Sequence, residues 1–303
     1  MPYVVATSDG LIQVDDRGRM KRLADGSFVH VVPGEDDGEA IALDDQGQIW
    51  DVDDDGAAPY ESFDEGRATC LLFDGAEVWV GTDPAGVFRY GEAGFSRIPT
   101  FDGMPGHEQW TTPWGAPASV RSMDIGDDDT IWVNVHVGGI ARSTDGGATW
   151  QRTVDMNVDV HQVFVVPGRP KTVVAACGDG GLAMTTDGGA TWSMATEGLS
   201  SSYSRAVAVA EDTVLLSCQD DNRGGNTSLY RRPLDKPDEP FVPCAGGLPE
   251  RLPGSIDTFM VATFGEDAAV ALPTGDLYIS ADTGYAWRRL IGSLGEVRAL
   301  TIL

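Results

Sequence analysis

Lysine is almost missing from this chain. Lys21, Lys171 and Lys236 are the three lysines among 303 residues, and 21 Lys and Arg face 47 Asp and Glu. The net charge of −26 excludes a surface that attracts nucleic acid or an anionic membrane. Cysteine is equally sparse: Cys70, Cys177, Cys218 and Cys244 show no CxxC spacing. Each lies inside or beside an apolar run, where a thiol behaves as a small hydrophobe, so buried free thiols are expected rather than disulfides or a thiolate metal site. No apolar run approaches the ~18 residues of a membrane span. The start, MPYVVATSDG, lacks the basic residues and apolar stretch of a leader, so the expectation is a soluble, cytoplasmic protein.

What the chain does have is a repeat. STDGGATW at Ser143–Trp150 returns as TTDGGATW at Thr185–Trp192 and, altered, as SADTGYAW at Ser280–Trp287. A period of roughly 40–45 residues in a strand-rich chain is the mark of a β-propeller, one four-stranded blade per repeat. The prediction is all-β: a single domain over 1–303 with seven antiparallel blades. Seven apolar runs serve as innermost strands, beginning at Ala40, Ala68, Val120, His161, Ser204, Asp257 and Val297. The last has no following strands, while YVVATSDG and LIQVDD near the start have no innermost strand before them. Residues 297–303 are therefore expected to complete the N-terminal blade and close the ring, which removes open sheet edges. Ile49-Trp50, Val78-Trp79 and Ile131-Trp132 read as equivalent points on second strands, and the outer strands around Ala57–Phe63 are hard to place.

The octapeptide resembles the Asp-box, or BNR repeat, S/T-x-D-x-G-x-T-W, of sialidases, sortilin-type receptors, xyloglucanases and photosystem assembly factors. Its chemistry reads as structural. Asp145, Asp187 and Asp282 can accept backbone N–H bonds across a tight turn, the glycines supply positive φ, and Trp150, Trp192 and Trp287 pack back on the sheet. The resemblance covers most of the chain at the level of short, single-domain BNR-repeat propellers, sialidase-like or photosystem-assembly-like, within the wider WD40/YVTN class. The Asp-rich, Lys-poor composition in turn resembles proteins of salt-accumulating archaea and implies a halophilic, haloarchaeal origin.

Because the box joins third to fourth strands, it marks one rim; the opposite, upper rim carries the second-to-third loops and the blade-to-blade linkers, where binding residues concentrate. The linker Thr100–Ser119 is about twenty residues long, a length usually reserved for function, and holds His107, Glu108, Trp110 and Trp114. Asn134 and His136 fall on one face of a strand by the two-residue alternation. His161 can approach His136 near the mouth, joined by Asp159, Arg121, Tyr203 and Arg205. The upper loop QDDNRGGN adds Asp220, Asp221 and Arg223; with Asp9, Asp83 and Asp179 on equivalent loops, carboxylates ring the mouth. DVDDDG matches the opening of a calcium loop through Asp51, Asp53 and Asp55, but Ser62 stands where the closing glutamate belongs.

Three functions compete. The first is a non-catalytic scaffold that binds a protein or small ligand through the upper-face loops, with no cofactor expected. The second is a glycan-binding protein or a sialidase-like glycoside hydrolase or lyase. Here the Arg97-Ile98-Pro99 match to a sialidase motif falls on an outer strand, and the family's arginine belongs on an inner one. The third is a metal-dependent hydrolase, which needs His107, His136 and His161 to converge; zinc or calcium is the ion considered. The sequence names no catalytic residue and leaves the oligomeric state open.

Overall fold

The computed structural model describes every residue except Asp54 and Pro113. Seven sheets of four antiparallel strands stand around a central axis. Strand composition follows from position: second strands such as Ile131–Val135 and Val173–Cys177 are buried throughout, whereas the outer strand Met20–Asp25 is largely exposed. A strand covered on both faces reads as a continuous apolar run, and this explains why the inner half of each blade dominates the hydrophobicity of the sequence. The core is divided to match. Among the described residues there are seven hydrophobic clusters, one at each junction between neighbouring blades.

Ring closure occurs where the sequence placed it. The strand Val297–Ile302 pairs with Tyr3–Thr7 in antiparallel register, Tyr3 opposite Ile302 and Val5 opposite Leu300, and becomes the innermost strand of blade 1. Blade 2 differs from the expectation. Its innermost strand is Phe28–Pro33, and the run at Ala40 forms the second strand, Ala40–Asp44. Consequently Ile49-Trp50 lies on the third strand, and Ala57–Ser62 is the outer one. The physical reason is that FVHVVP is as apolar as AIALD, while counting blades from Ala40 leaves too few residues before Arg67 for a whole blade. Trp50 accordingly packs on Phe28 and donates its indole N–H to Asp44, whereas Trp79 and Trp132 are fully buried between blades.

The repeated octapeptides are tight turns between third and fourth strands. In the first, Asp145 Oδ1 accepts the Thr149 N–H at 2.8 Å and the Ser143 hydroxyl at 2.8 Å, while Oδ2 accepts the Thr149 hydroxyl at 2.6 Å. Asp187 repeats this with Thr191 and Thr185, and Asp282 accepts from Ser280 and the Ala286 N–H. The four cysteines are free and buried; burial pushes the thiols of Cys70, Cys177 and Cys244 up to about 12. Among the described residues no helix is long and apolar enough to cross a membrane.

Two cavities occupy the axis. The upper one, 490 Å³, is lined by Arg121, Asp257, Phe259 and Arg298; the lower one, 290 Å³, by His30, Asp124, Gln162 and Phe259. Phe259 stands between them with φ +67°, a conformation strained for a residue with a Cβ. It is held there by three contacts: its N–H donates to Gln162 Oε1 at 3.1 Å, its carbonyl accepts from Leu300, and its ring lies 3.7 Å from that of His30.

Candidate functional site

The upper ends of blades 4 to 7 deliver charged residues to one region. Inner strands start there, so Arg121 and His161 sit at the entrance of the axis on neighbouring strands Val120–Ile125 and Val160–Val165. His136 follows the second strand of blade 4, its N–H bonded to the Ser119 carbonyl at 2.9 Å, so the long linker fixes it. Asp159 ends the linker into blade 5, its carbonyl accepting the Gly178 N–H at 2.7 Å.

These three residues converge. His136 Nε2 lies 3.1 Å from Asp159 Oδ1, and His161 Nε2 lies 3.3 Å from Asp159 Oδ2. Gly178 lets the carboxylate in: a Cβ on it would fall 2.1 Å from Asp159 Oδ2 and 2.9 Å from His161 Cε1. His161 is fully buried, with its Nδ1 2.7 Å from the Ser204 carbonyl. A carbonyl only accepts, so Nδ1 carries a proton. Burial would raise the Asp159 carboxyl, yet the two imidazoles hold it well below the usual carboxylate range. Burial pushes the His161 imidazole down, and Asp159 only partly opposes this.

A second cluster adjoins the first. Asp257, at the upper entrance to blade 7, accepts Arg121 Nη2 at 2.5 Å and a short bond from Arg205 Nη1. Burial alone would raise the Asp257 carboxyl, but the two guanidinium groups lower it. Thr258 links the clusters: its hydroxyl accepts from Arg121 Nε at 3.0 Å and donates to the His161 carbonyl at 3.1 Å. Tyr203 stands 5.1 Å from the His161 ring, with its hydroxyl 3.4 Å from Arg205 Nη2.

The remaining sequence-predicted residues divide. Trp114 is 71% exposed, with its ring 6.0 Å from His136. Trp110, four positions earlier, is buried against Phe101. His107 packs at a tilt against Trp110, ring centres 4.6 Å apart, and lies 3.5 Å from Asp102, apart from the other histidines; Glu108 beside it is exposed. Asn134 is buried in its sheet and donates to Ser122 Oγ. Asp220, Asp221 and Arg223 form an exposed loop closed on itself, Asp220 with Asn226 and Asp221 Oδ1 with the Arg223 N–H; Asn222 in that loop offers its carbonyl to Arg205. On the other upper loops Asp9 pairs with Arg22, Asp83 with Arg67, and Asp179 accepts from Ser202. Asp51, Asp53 and Asp55 flank a turn on the octapeptide side of the ring, where Asp53 Oδ1 accepts the N–H groups of Asp55 and Gly56. Sequence reasoning missed Asp257 and the Ser204 carbonyl. The one signal for Asp257 is its place at the start of the apolar run DTFMVATFG, four residues before the inner strand Val261–Phe264 of blade 7.

No protein-family model matches the sequence, and no curated protein sequence does either. Solved structures do match the backbone. The WD40 repeats of RRP9 superpose with a TM-score of 0.66 at 12% identity, over 100% of this chain and 89% of that one. YCF48 bound to D1 peptide gives 0.61 at 15% identity, covering 95% and 85%. A catalytically inactive virginiamycin B lyase from Staphylococcus aureus with quinupristin gives 0.62 at 13% identity, covering 86% and 83%. What they share with this chain is the fold. At such identities a propeller hosts peptide binders and enzymes alike, and function must be argued from the site.

Proposed function

We propose that this chain is a non-catalytic propeller scaffold that binds a protein or peptide partner, or a small ligand, at its upper mouth. One observation carries the reading: Trp114 is exposed on the long linker directly beside His136, above a polar cluster assembled from four blades. An exposed tryptophan beside fixed charged groups is the composition of a binding hot spot. YCF48, a propeller of similar shape, binds a peptide, which supports the peptide form of this reading. Arg121 and Arg205 are already engaged by Asp257, and that speaks against a sialidase-like grip on a substrate carboxylate.

The octapeptides are read as Asp-boxes of a BNR-type propeller, and the acidic surface as adaptation to a salt-rich cytoplasm. The unfolding midpoint should then rise along a potassium chloride series, since molar salt shortens the screening length to about 3 Å; a midpoint indifferent to salt would remove the halophilic reading. For the binding function, affinity capture from the source cells at native salt compares the wild type with Trp114→Ala. A partner retained by the wild type and lost by the variant supports the reading, and equal retention by both counts against it.

A further inference from the structure

We infer that His136, Asp159 and His161 form a binding site for a divalent transition-metal ion of the zinc class. The ligand atoms, two imidazole Nε2 and one carboxylate oxygen, all lie within 4.8 Å of one another. His136 Nε2 is 3.1 Å from one Asp159 oxygen and His161 Nε2 is 3.3 Å from the other, so whichever oxygen binds, one imidazole already stands near the roughly 3.4 Å edge of a tetrahedral site whose bonds are about 2.1 Å. The inference does not rest on the partner reading, because the ion is held by this chain alone.

An ion-paired histidine cluster is the competing explanation, and hydrogen bonding decides against it. Asp159 Oδ1 and His161 Nε2 are both sealed from solvent, and neither makes a hydrogen bond. The two imidazoles approach the carboxylate without aiming an N–H at it. His161 is more specific still. Its Nδ1 is engaged by the Ser204 carbonyl, and its Nε2, sealed from solvent, has no hydrogen-bond partner although a carboxylate oxygen stands 3.3 Å away. A buried ring nitrogen and a buried carboxylate oxygen left unbonded this close together are costly, and a cation that both can reach satisfies them at once. Metal-bound histidine shows this same arrangement, with the far ring nitrogen donating to a backbone carbonyl that fixes tautomer and orientation. The donor set of two nitrogens and one oxygen selects a borderline ion such as zinc over calcium or magnesium, which prefer oxygen alone. Three protein ligands leave a fourth coordination position for water or a bound molecule.

The full chain, without a polyhistidine tag and stripped with chelator, is titrated with zinc ion against a chromophoric competitor. Molar potassium chloride and excess magnesium saturate the many surface carboxylates. One equivalent should bind, and cobalt in its place should give the visible absorption of a nitrogen- and oxygen-ligated ion. Asp159→Asn and His136→Ala should each weaken binding by about 100-fold or more, beyond the loss of an outer-shell partner. His107→Ala should leave it unchanged, because that ring stands apart from the three ligands. His136 and Asp159 are only partly buried, so circular dichroism can verify that both variants fold. Absence of stoichiometric binding overturns the site. Binding that survives both ligand substitutions overturns it as well.

Discussion

Trp132 of blade 4 reaches Gly189 in the octapeptide of blade 5 with its Cη2. A Cβ on Gly189 would come 3.0 Å from Trp132 Cη2 and 2.8 Å from Thr153 Cγ2, and the glycine holds φ +83°. The same relation joins Trp79 to Gly147 one junction earlier. The octapeptide thus closes a turn in its own blade and presents a bare backbone to the tryptophan of the blade before. Gly189→Ala should cost about 1–3 kcal/mol, through overpacking and an unfavourable φ together, read as a lowered denaturation midpoint with an unchanged denaturant slope.

The aspartate of that turn predicts a pH dependence. Hydrogen bonds from the Thr191 side chain and N–H hold the Asp187 carboxyl down at about 2, against 3.8 for an ordinary aspartate. A folded-state value below the unfolded one means that the contribution is complete above 3.8 and disappears as pH falls through about 2. Asp187→Asn should be less stable than the wild type at neutral pH, and the two melting temperatures should converge toward about pH 2. A gap of constant size across that window would show that the charge plays no part.

Asp124, in the lower cavity, runs the other way. Burial pushes its carboxyl up to about 7, despite N–H bonds from Val165 and Ile125 that favour the ionised form. Here the folded protein holds a proton that the unfolded chain releases near 3.8. Stability from this group therefore falls as pH rises from there to about 7 and is level beyond. Carboxyl carbon chemical shifts should show one titration near neutrality that is missing in Asp124→Asn; titration of every carboxylate below about pH 5 would refute it.

Two tryptophans of one linker should separate cleanly. Trp110→Ala empties a buried position beside Phe101 and should cost about 3–5 kcal/mol. Trp114→Ala removes an exposed ring and should change stability by less than about 0.5 kcal/mol. Chemical denaturation of the two variants in parallel measures the difference, and equal effects would mean that Trp114 is part of the core.

Most of the ring was legible because its signals are local. The octapeptide carries its own turn chemistry, the period counts the blades, and the orphan run at Val297 has only blade 1 to complete. Blade 2 was misaligned by one strand because FVHVVP and AIALD are equally apolar and no octapeptide marks that blade. At the site, the two-residue alternation and the blade order brought His136 and His161 to one rim together with Asp159. His107 was drawn into the same group by residue type alone, and only packing shows that it belongs to Phe101 and Trp110. Trp110 and Trp114 look alike in sequence, and Asp257 looks like any acid heading a strand. What distinguishes them is which neighbours the fold supplies, and for Asp257 the partner Arg121 comes from more than a hundred residues away.

Phe259 gives the axis a floor. With its ring against His30 and its backbone tied to Gln162 and Leu300, it is shared by the cavity of Arg121 and Asp257 above and the cavity of Asp124 below. Arg121→Gln above that floor should leave the titration of Asp124 below it in place, so the two ends of one small ring can be interrogated as if they belonged to different molecules.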